Sequence, residues 1–591
     1  MPGEAGRLNE QRRDILVEAE ALADPGGWVV DQQSMDQMGS PYLLAHGLGV
    51  PVRDATGMID VPAPGSWRVW VRTRDWAHTR QAGEAPGRFQ LLIDGVPLST
   101  IFGTEGAAWH WQDGGPVTLP ARRATIALHD LTGFEGRADA ILFSADPGFV
   151  PPDAGPALDA FRRIALGLPP APADAGSFDL VVAGGGIPGI CAALTAAREG
   201  LSVAFVQDRP VLGGNNSSEV RVWLGGETNL PPYPDIGNVV RELEQARKAH
   251  YGPSNTADLY EDNAKLALVR AEKRITLFLG YRVISAETGP AGLESVVAQD
   301  IRTSHRVRLA GRLFADCTGD GALGALAGAD FEATAKGHMG PSNLWHIKDT
   351  GSPSPFPRCP WALDLAHAPF PGRDEYAAQF TDPGPDGLGA WFWECGFDWD
   401  PVADVERMRD WNLLAMYGAW DALKNTLGKY PNGRLAWAAW ISGKRESRRL
   451  LGDVIVTRDD VRAGRKFEDA CFPCTWGVDL HRPHPAFAAG LEGREFISEA
   501  LIEELKQPFW APYRALYSRN VPNLFMAGRD ISVTHEALGT ARVMRTGGMM
   551  GEVIGLAASL CVRRSTSPRG VYESHLPELV GLLTRGPSRP R

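Results

Sequence analysis

Short apolar runs separated by turn residues fill the first 150 positions of the chain. Ile15 to Glu20, Trp28 to Gln32, Tyr42 to Ala45, Gly57 to Val61, Trp67 to Arg72, Arg88 to Ile93, Val117 to Leu119, Ala124 to Leu128 and Ala140 to Phe143 each read as a β-strand. Gly-Gly, Pro-Gly and Asp-Gly turns punctuate them, and strands of this length at this spacing predict an all-β sandwich. Proline-rich stretches at 151–156 and 168–172 then bracket a short helix-like segment, which is a linker composition.

The pattern changes at residue 178. Phe178 to Ala183 is a short apolar strand that feeds Gly184-Gly185-Gly186-Ile187-Pro188-Gly189. An Ala-rich helix follows to about Gly200, and a second strand, Leu201 to Val206, ends at Gln207-Asp208. Each motif glycine answers a physical need. Gly184 makes the tight turn, Gly186 lets the backbone approach a pyrophosphate, and Gly189 lets helix pack closely on strand. The helix N-terminus adds unpaired N–H donors and a positive dipole end. Inside a complete strand–turn–helix–strand unit, this motif predicts a dinucleotide site.

Three later segments separate FAD from NAD. Arg209 to Glu219 carries Gly213-Gly214 followed by Asn215 and Ser218, small residues that admit phosphate or ring. Arg312 to Gly321 is a strand ending in Thr318-Gly319, and Asn523 to Asp530 is a strand ending in Gly528-Arg529-Asp530. Asp530 can accept a ribityl hydroxyl. The helical stretch Thr540 to Leu560 places Thr540 and Ala541 at an N-terminus suited to negative charge on a reduced flavin. The candidate cofactor residues are therefore Gly184, Gly186, Gly189, Gln207, Asp208, Arg209, Gly213, Gly214, Asn215, Ser218, Thr318, Gly319, Gly528, Asp530, Thr540 and Ala541.

Composition narrows the class. A chain of 591 residues exceeds one core, so two or three domains are expected. A net charge of −11 with no long basic run argues against a nucleic-acid partner. No stretch reaches the ~18 apolar residues of a membrane span, and Met1 to Arg13 is polar, without a signal peptide. Seven scattered cysteines do not form a disulfide framework. These readings point to a cytoplasmic enzyme with a small-molecule substrate and no metal. Eighteen tryptophans exceed ordinary usage, with Trp391, Trp393, Trp399, Trp411, Trp420, Trp437 and Trp440 concentrated in one stretch. An aromatic domain core explains most of them, and sugar stacking or capping of a cofactor is the functional alternative.

The assembled motifs resemble the two-dinucleotide-fold FAD oxidoreductases of the glutathione reductase and fumarate reductase type. Closer still, they resemble a bacterial FAD-dependent oxidoreductase family often found beside carbohydrate-degrading genes. The matching runs are Asp208 to Asn215, Gly443 to Arg449, Asp479-Leu480-His481 and His535 to Met544, within about residues 178 to 562. Separately, Val17 to Glu20, Pro64 to Arg72 and Asp139 to Phe143 resemble sugar-binding β-sandwich modules of galactose-binding-like jelly-roll type. In such modules a carboxylate like Glu18 or Glu20 often helps hold calcium. The expected fold is α/β: a Rossmann-type FAD-binding domain (178–333 and 521–565) with an inserted substrate domain (334–520). The jelly-roll-like sandwich (1–150), a linker (151–177) and a C-terminal tail (566–591) complete it. One departure stands out: Gln207 occupies the place where an acid normally binds the adenosine ribose.

The resemblance implies oxidation of a carbohydrate or glycoside hydroxyl, with hydride passing to flavin N5. A base must then take the hydroxyl proton, and histidine suits that role. His481 lies in a polar loop beside Asp479, and His535 follows Asp530 closely enough to be expected near the ring. Arg445, within the charged run Arg445-Glu446-Ser447-Arg448-Arg449, is a candidate for orienting substrate or flavin. Cys471-Phe472-Pro473-Cys474 lacks the position of a disulfide-reductase pair and reads as packed cysteines. Two other functions fit the same motifs. One is a fumarate-reductase-like enzyme that reduces an activated double bond; the other is a carbohydrate-binding protein with an inactive flavin fold.

Overall fold

The computed structural model describes residues 14–78, 85–373 and 388–590; the polar Met1 to Arg13 stretch lies outside the described residues. Among the described residues, eleven short strands arise before residue 145: β1 (Ile15–Glu18), β2 (Val29–Asp31), β3 (Tyr42–Ala45), β4 (Ala55–Asp60), β5 (Gly65–Thr73), β6 (Phe89–Ile93), β7 (Val96–Pro97), β8 (His110–Leu119), β9 (Arg123–Asp130), β10 (Gly136–Ala138) and β11 (Ala140–Ser144). They form antiparallel sheets in the orders β1-β11-β5-β8, β10-β3-β2 and β4-β9-β6-β7. Alternating positions from all three sheets, among them Leu43, Ile59, Val69, Leu91, Ile126 and Ile141, close one core. The expected strand at Val117 to Leu119 is only the end of the longer β8. Residues Ala19 to Ala21 leave β1 as a 3-10 turn.

Glu18, Glu20 and Asp139 gather within this region. They do not form a calcium site as built. The Arg162 guanidinium donates to both Glu18 and Asp139, and Arg72 donates to Asp139 at 2.7 Å. Arg162 comes from the helix Gly155–Ala165, so the expected linker is anchored onto the strands. Calcium needs six to eight oxygen ligands, and a guanidinium already holds two of these three carboxylates. Calcium or a chelator is therefore expected to leave the thermal midpoint unchanged; a calcium-dependent rise would show that Arg162 yields its place.

Glu20 has no partner for either carboxylate oxygen. Burial, and then the charges of Glu18 and Asp139, push its carboxyl well above the usual range. Above about pH 4.5 the unfolded chain releases this proton while the native protein keeps it. Stability therefore falls as pH rises toward the raised native value. Glu20→Gln is expected to flatten that part of the stability–pH curve, as read by denaturation at several pH values. An unchanged slope would show that Glu20 is ionised in the native protein.

A further, larger sheet carries the dinucleotide pattern. Its strands are β12 (Ala173–Ala183), β13 (Val203–Gln207), β14 (Ile275–Leu279), β15 (Tyr281–Gly289), β16 (Gly292–Asp300) and β17 (Arg306–Asp316), in the order β14-β13-β12-β17-β16-β15. The pairs among β14, β13, β12 and β17 are parallel, and Leu524–Met526 adds a parallel strand against the end of β17. β12 starts five residues before the expected strand, because Ala173 and Asp174 already pair with β17. The helices Ile187–Arg198 and Met544–Arg564 pack on each other. Gly551 and Gly555 permit this closeness, since a Cβ at Gly551 would lie 2.1 Å from the Pro188 carbonyl oxygen. Residues 566–591, expected as a tail, contain the helix Pro568–Arg585 with Val571, Leu579 and Leu583 buried.

Between the sheet strands lies a tryptophan-rich core around the helix Val405–Asp421. Trp393, Trp399, Trp411 and Trp420 are buried in it, together with Trp76 and Phe134 from the N-terminal strands. A polar network ties the same regions together. Arg137, fully buried, donates to Asp410 and Glu406, while Arg409 donates to Asp31, Asp410 and the Tyr42 hydroxyl.

Candidate active site

One continuous cleft of about 440 Å³ runs along the carboxyl ends of β12, β13 and β17. The strand-to-helix turn at its centre has the geometry that the glycines require. Gly184 has φ +102°, and a Cβ there would sit 2.3 Å from the Cys317 carbonyl oxygen. A Cβ at Gly189 would lie 1.9 Å from the Gly184 oxygen, so this glycine serves helix packing and does not line the cleft. At Gly186 the nearest atom would be 3.6 Å away, which leaves room for close approach from the cleft. Gly213 donates to the Gly185 oxygen at 2.8 Å, bringing the Gly213-Gly214 loop beside the motif. Seven basic residues line the cleft (Arg209, Arg282, Lys444, Arg445, Arg448, Arg529, Arg542) against four acids (Asp36, Asp208, Asp320, Asp479). In a chain of net charge −11, this local excess suits a pyrophosphate. The cradle and its charge fit FAD.

Most sequence-derived cofactor candidates line this cleft: Gly184, Gly186, Gln207, Asp208, Arg209, Gly213, Gly214, Asn215, Thr318, Gly319 and Gly528. Others do not. Ser218 turns its backbone N–H to Asp262 and stands outside. Asp530 is fully buried, and burial together with neighbouring Asp316 raises its carboxyl well above the usual range. Its neighbour Arg529 lines the cleft instead. Thr540 and Ala541 are buried at the end of a separate helix, His535–Ala541, which Thr534 caps. Val543 adopts extended geometry and a new helix starts at Met544, so the helix N-terminus facing the cleft is formed by Val543 and Met544. Gln207 lines the cleft, but its Oε1 accepts from the Gly185 N–H at 2.7 Å and its Nε2 donates to the Val211 oxygen.

The two candidate histidines part company. His535 Nδ1 pairs with Glu446 at 2.8 Å, and the residue does not line the cleft. Being the first residue of its helix directs it toward the buried Glu446–Arg449 pair. His481 lies in the cleft on the strand Val478–Pro483, with Nδ1 2.7 Å from Glu394 Oε2. A carboxylate only accepts, so Nδ1 donates to Glu394. Asp479 Oδ1 lies 3.3 Å from Nε2. The edge of Trp391 fixes the ring, with centroids 4.8 Å apart.

Arg445 holds this arrangement together. It pairs with Glu394 at 3.2 Å and donates to the Ser342 hydroxyl and the Trp391 oxygen. Burial would raise the Glu394 carboxyl, but Arg445 and His481 outweigh it and hold the group below the usual range. Burial of Asp479 is likewise outweighed by His481 and Arg542. Sequence reasoning missed Glu394, although an acid inside the aromatic run Trp391-Phe392-Trp393-Glu394 is itself a signal of a buried partner. Trp223, Trp391 and Trp476 line the same end of the cleft with Tyr251. Cys471 and Cys474 are buried free thiols elsewhere in the fold.

The sequence pattern of the FAD dependent oxidoreductase family matches residues 179–358 and 365–581. The chain belongs to that family. FAD is its cofactor, and it is a flavoprotein oxidoreductase. No curated protein matches the chain. Among solved structures it is similar to a geranylgeranyl bacteriochlorophyll reductase-like protein from Thermoplasma acidophilum, at 12% identity and TM-score 0.33, over 70% of this chain and 84% of that one. Similarity to E. coli quinol fumarate reductase has 10% identity and TM-score 0.30, over 69% and 74%. A family 35 carbohydrate binding module from Clostridium thermocellum is similar over 22% of this chain and 96% of its own, at 16% identity and TM-score 0.18. Likenesses at this level say nothing about substrate. No helix among the described residues is long and apolar enough to cross a membrane.

Proposed function

We propose that this flavoprotein oxidises a hydroxyl of a carbohydrate or glycoside, with His481 as the base. The observation that carries the reading is the Glu394–His481 pair in the same cleft as the glycine motif. Bound FAD supplies the hydride acceptor at N5. Glu394 orients the imidazole, and Nε2 takes the substrate hydroxyl proton. Asp479, 3.3 Å from that nitrogen, then stabilises the imidazolium. Arg445 and the Ser498 hydroxyl, which donates to Glu394 at 2.9 Å, fix Glu394 and have a positioning role. The faces of Trp223, Trp391 and Trp476 offer apolar planes suited to a sugar ring.

In this reading, residues 178–333 and 521–565 form the FAD-binding domain and 334–520 the substrate domain. Residues 1–150 are a carbohydrate-binding-module-like sandwich, and the seven free cysteines fit a cytoplasmic setting. The test is an anaerobic single turnover with sugars and glycosides, followed by mass analysis of the product. One carbonyl product, lighter by two hydrogens, is expected per flavin reduced. Flavin that every alcohol leaves oxidised, but that is reoxidised by an enone after artificial reduction, would replace this reading with double-bond reduction.

A further inference from the structure

The N-terminal region supplies part of the cofactor cleft. Gln32, Gln33 and Asp36 line it together with the glycine motif, although about 150 residues separate them in sequence. Their placement is fixed by hydrogen bonds to both other regions. Gln33 Oε1 accepts from the Ser442 N–H at 2.6 Å, and its Nε2 donates to the Trp440 oxygen at 2.9 Å. Asp36 accepts from Arg282 at 2.9 Å, and the same guanidinium donates to Asp208 at 3.0 Å, just beyond the end of β13. Asp36 and Arg282 therefore set this wall against the strand end where a dinucleotide fold holds the adenosine ribose.

At that strand end the protein already engages part of the acceptor capacity. Gln207 stands at the ribose position, and both ends of its amide are already bonded inside the fold. Asp208, the next residue, faces Arg282. Gln32 is in the opposite condition. It is 2% exposed, it lines the cleft, and its Oε1 has no hydrogen-bond partner. A buried carbonyl oxygen without a donor is destabilising unless a ligand completes it. The adenosine half of FAD carries such donors, in its ribose hydroxyls and the adenine amino group.

We infer that Gln32, contributed by the N-terminal region, accepts a hydrogen bond from the adenosine half of FAD and takes over the role that Gln207 has given up. Asp36 and Arg282 are positioning residues for this contact. The N-terminal region is thereby part of the cofactor site and not a detachable appendage.

The test is titration of the full-length apoprotein with FAD and, separately, with FMN, which lacks the adenosine. Gln32→Leu is expected to raise the Kd for FAD about tenfold and to leave the Kd for FMN unchanged. Apoprotein stability should not fall, because the deleted acceptor has no partner within the protein. Gln32→Met, closer in shape, gives the same reading if the leucine variant does not fold. An FAD Kd within twofold of the native chain would overturn the inference. So would equal weakening of FAD and FMN, which would mark Gln32 as merely structural.

Discussion

Replacing His481 by Asn is expected to slow flavin reduction by substrate about 10²- to 10⁴-fold, the range that a positioned general base supplies. FAD should stay bound, because the glycine loop and the basic wall of the cleft are untouched. The measurement is stopped-flow bleaching of the flavin under anaerobic conditions, with the flavin content of each variant checked by its spectrum. The matching His535→Asn change should slow the same step less than tenfold. His535 is engaged with Glu446 and does not line the cleft. The reverse ranking would move the base to His535.

The second large effect concerns stability. Arg137 is fully buried and pairs with Asp410 and Glu406, while Arg409 also pairs with Asp410, at the same Oδ1. Arg137→Ala would leave buried carboxylates short of a counter-charge, and breaking such a pair is destabilising by about 3–5 kcal/mol. Arg137 itself comes from β10, whereas Asp410 and Glu406 lie on the helix Val405–Asp421. The loss should therefore appear as separation of the N-terminal region from the tryptophan-rich core. Urea denaturation followed by tryptophan fluorescence reads both the loss and any split into two transitions. A variant as stable as the native protein would show that water enters the site and solvates the acids.

What was legible in the sequence follows physical reach. The glycine motif could be read because each glycine answers to backbone geometry within a few residues, such as the left-handed turn at Gly184. The N-terminal strands could be read because alternation and turn residues are local signals. The helix near 540 was misplaced because its apolar pattern continues unbroken across Arg542-Val543. The break depends on Thr534 capping a separate short helix and on the extended backbone of Val543.

Side-chain partnerships across long separations were beyond local reading. Nothing near His481 announces Glu394, which lies 87 residues away, and nothing near Gln32 announces a cleft built from the dinucleotide sheet. The choice between His481 and His535 turned on which carboxylate each imidazole meets. That is a property of packing. The tryptophans divided as burial dictates, with Trp393, Trp399, Trp411 and Trp420 in the core and Trp391 against the candidate base.

The most direct test of the central claim is the visible spectrum of the purified protein, followed anaerobically as a panel of sugars and glycosides is added. A yellow protein whose flavin bleaches with a saccharide, and bleaches far more slowly in the His481→Asn variant, is the expected result. A flavin that stays oxidised with every saccharide, or that bleaches equally fast without His481, would contradict the account.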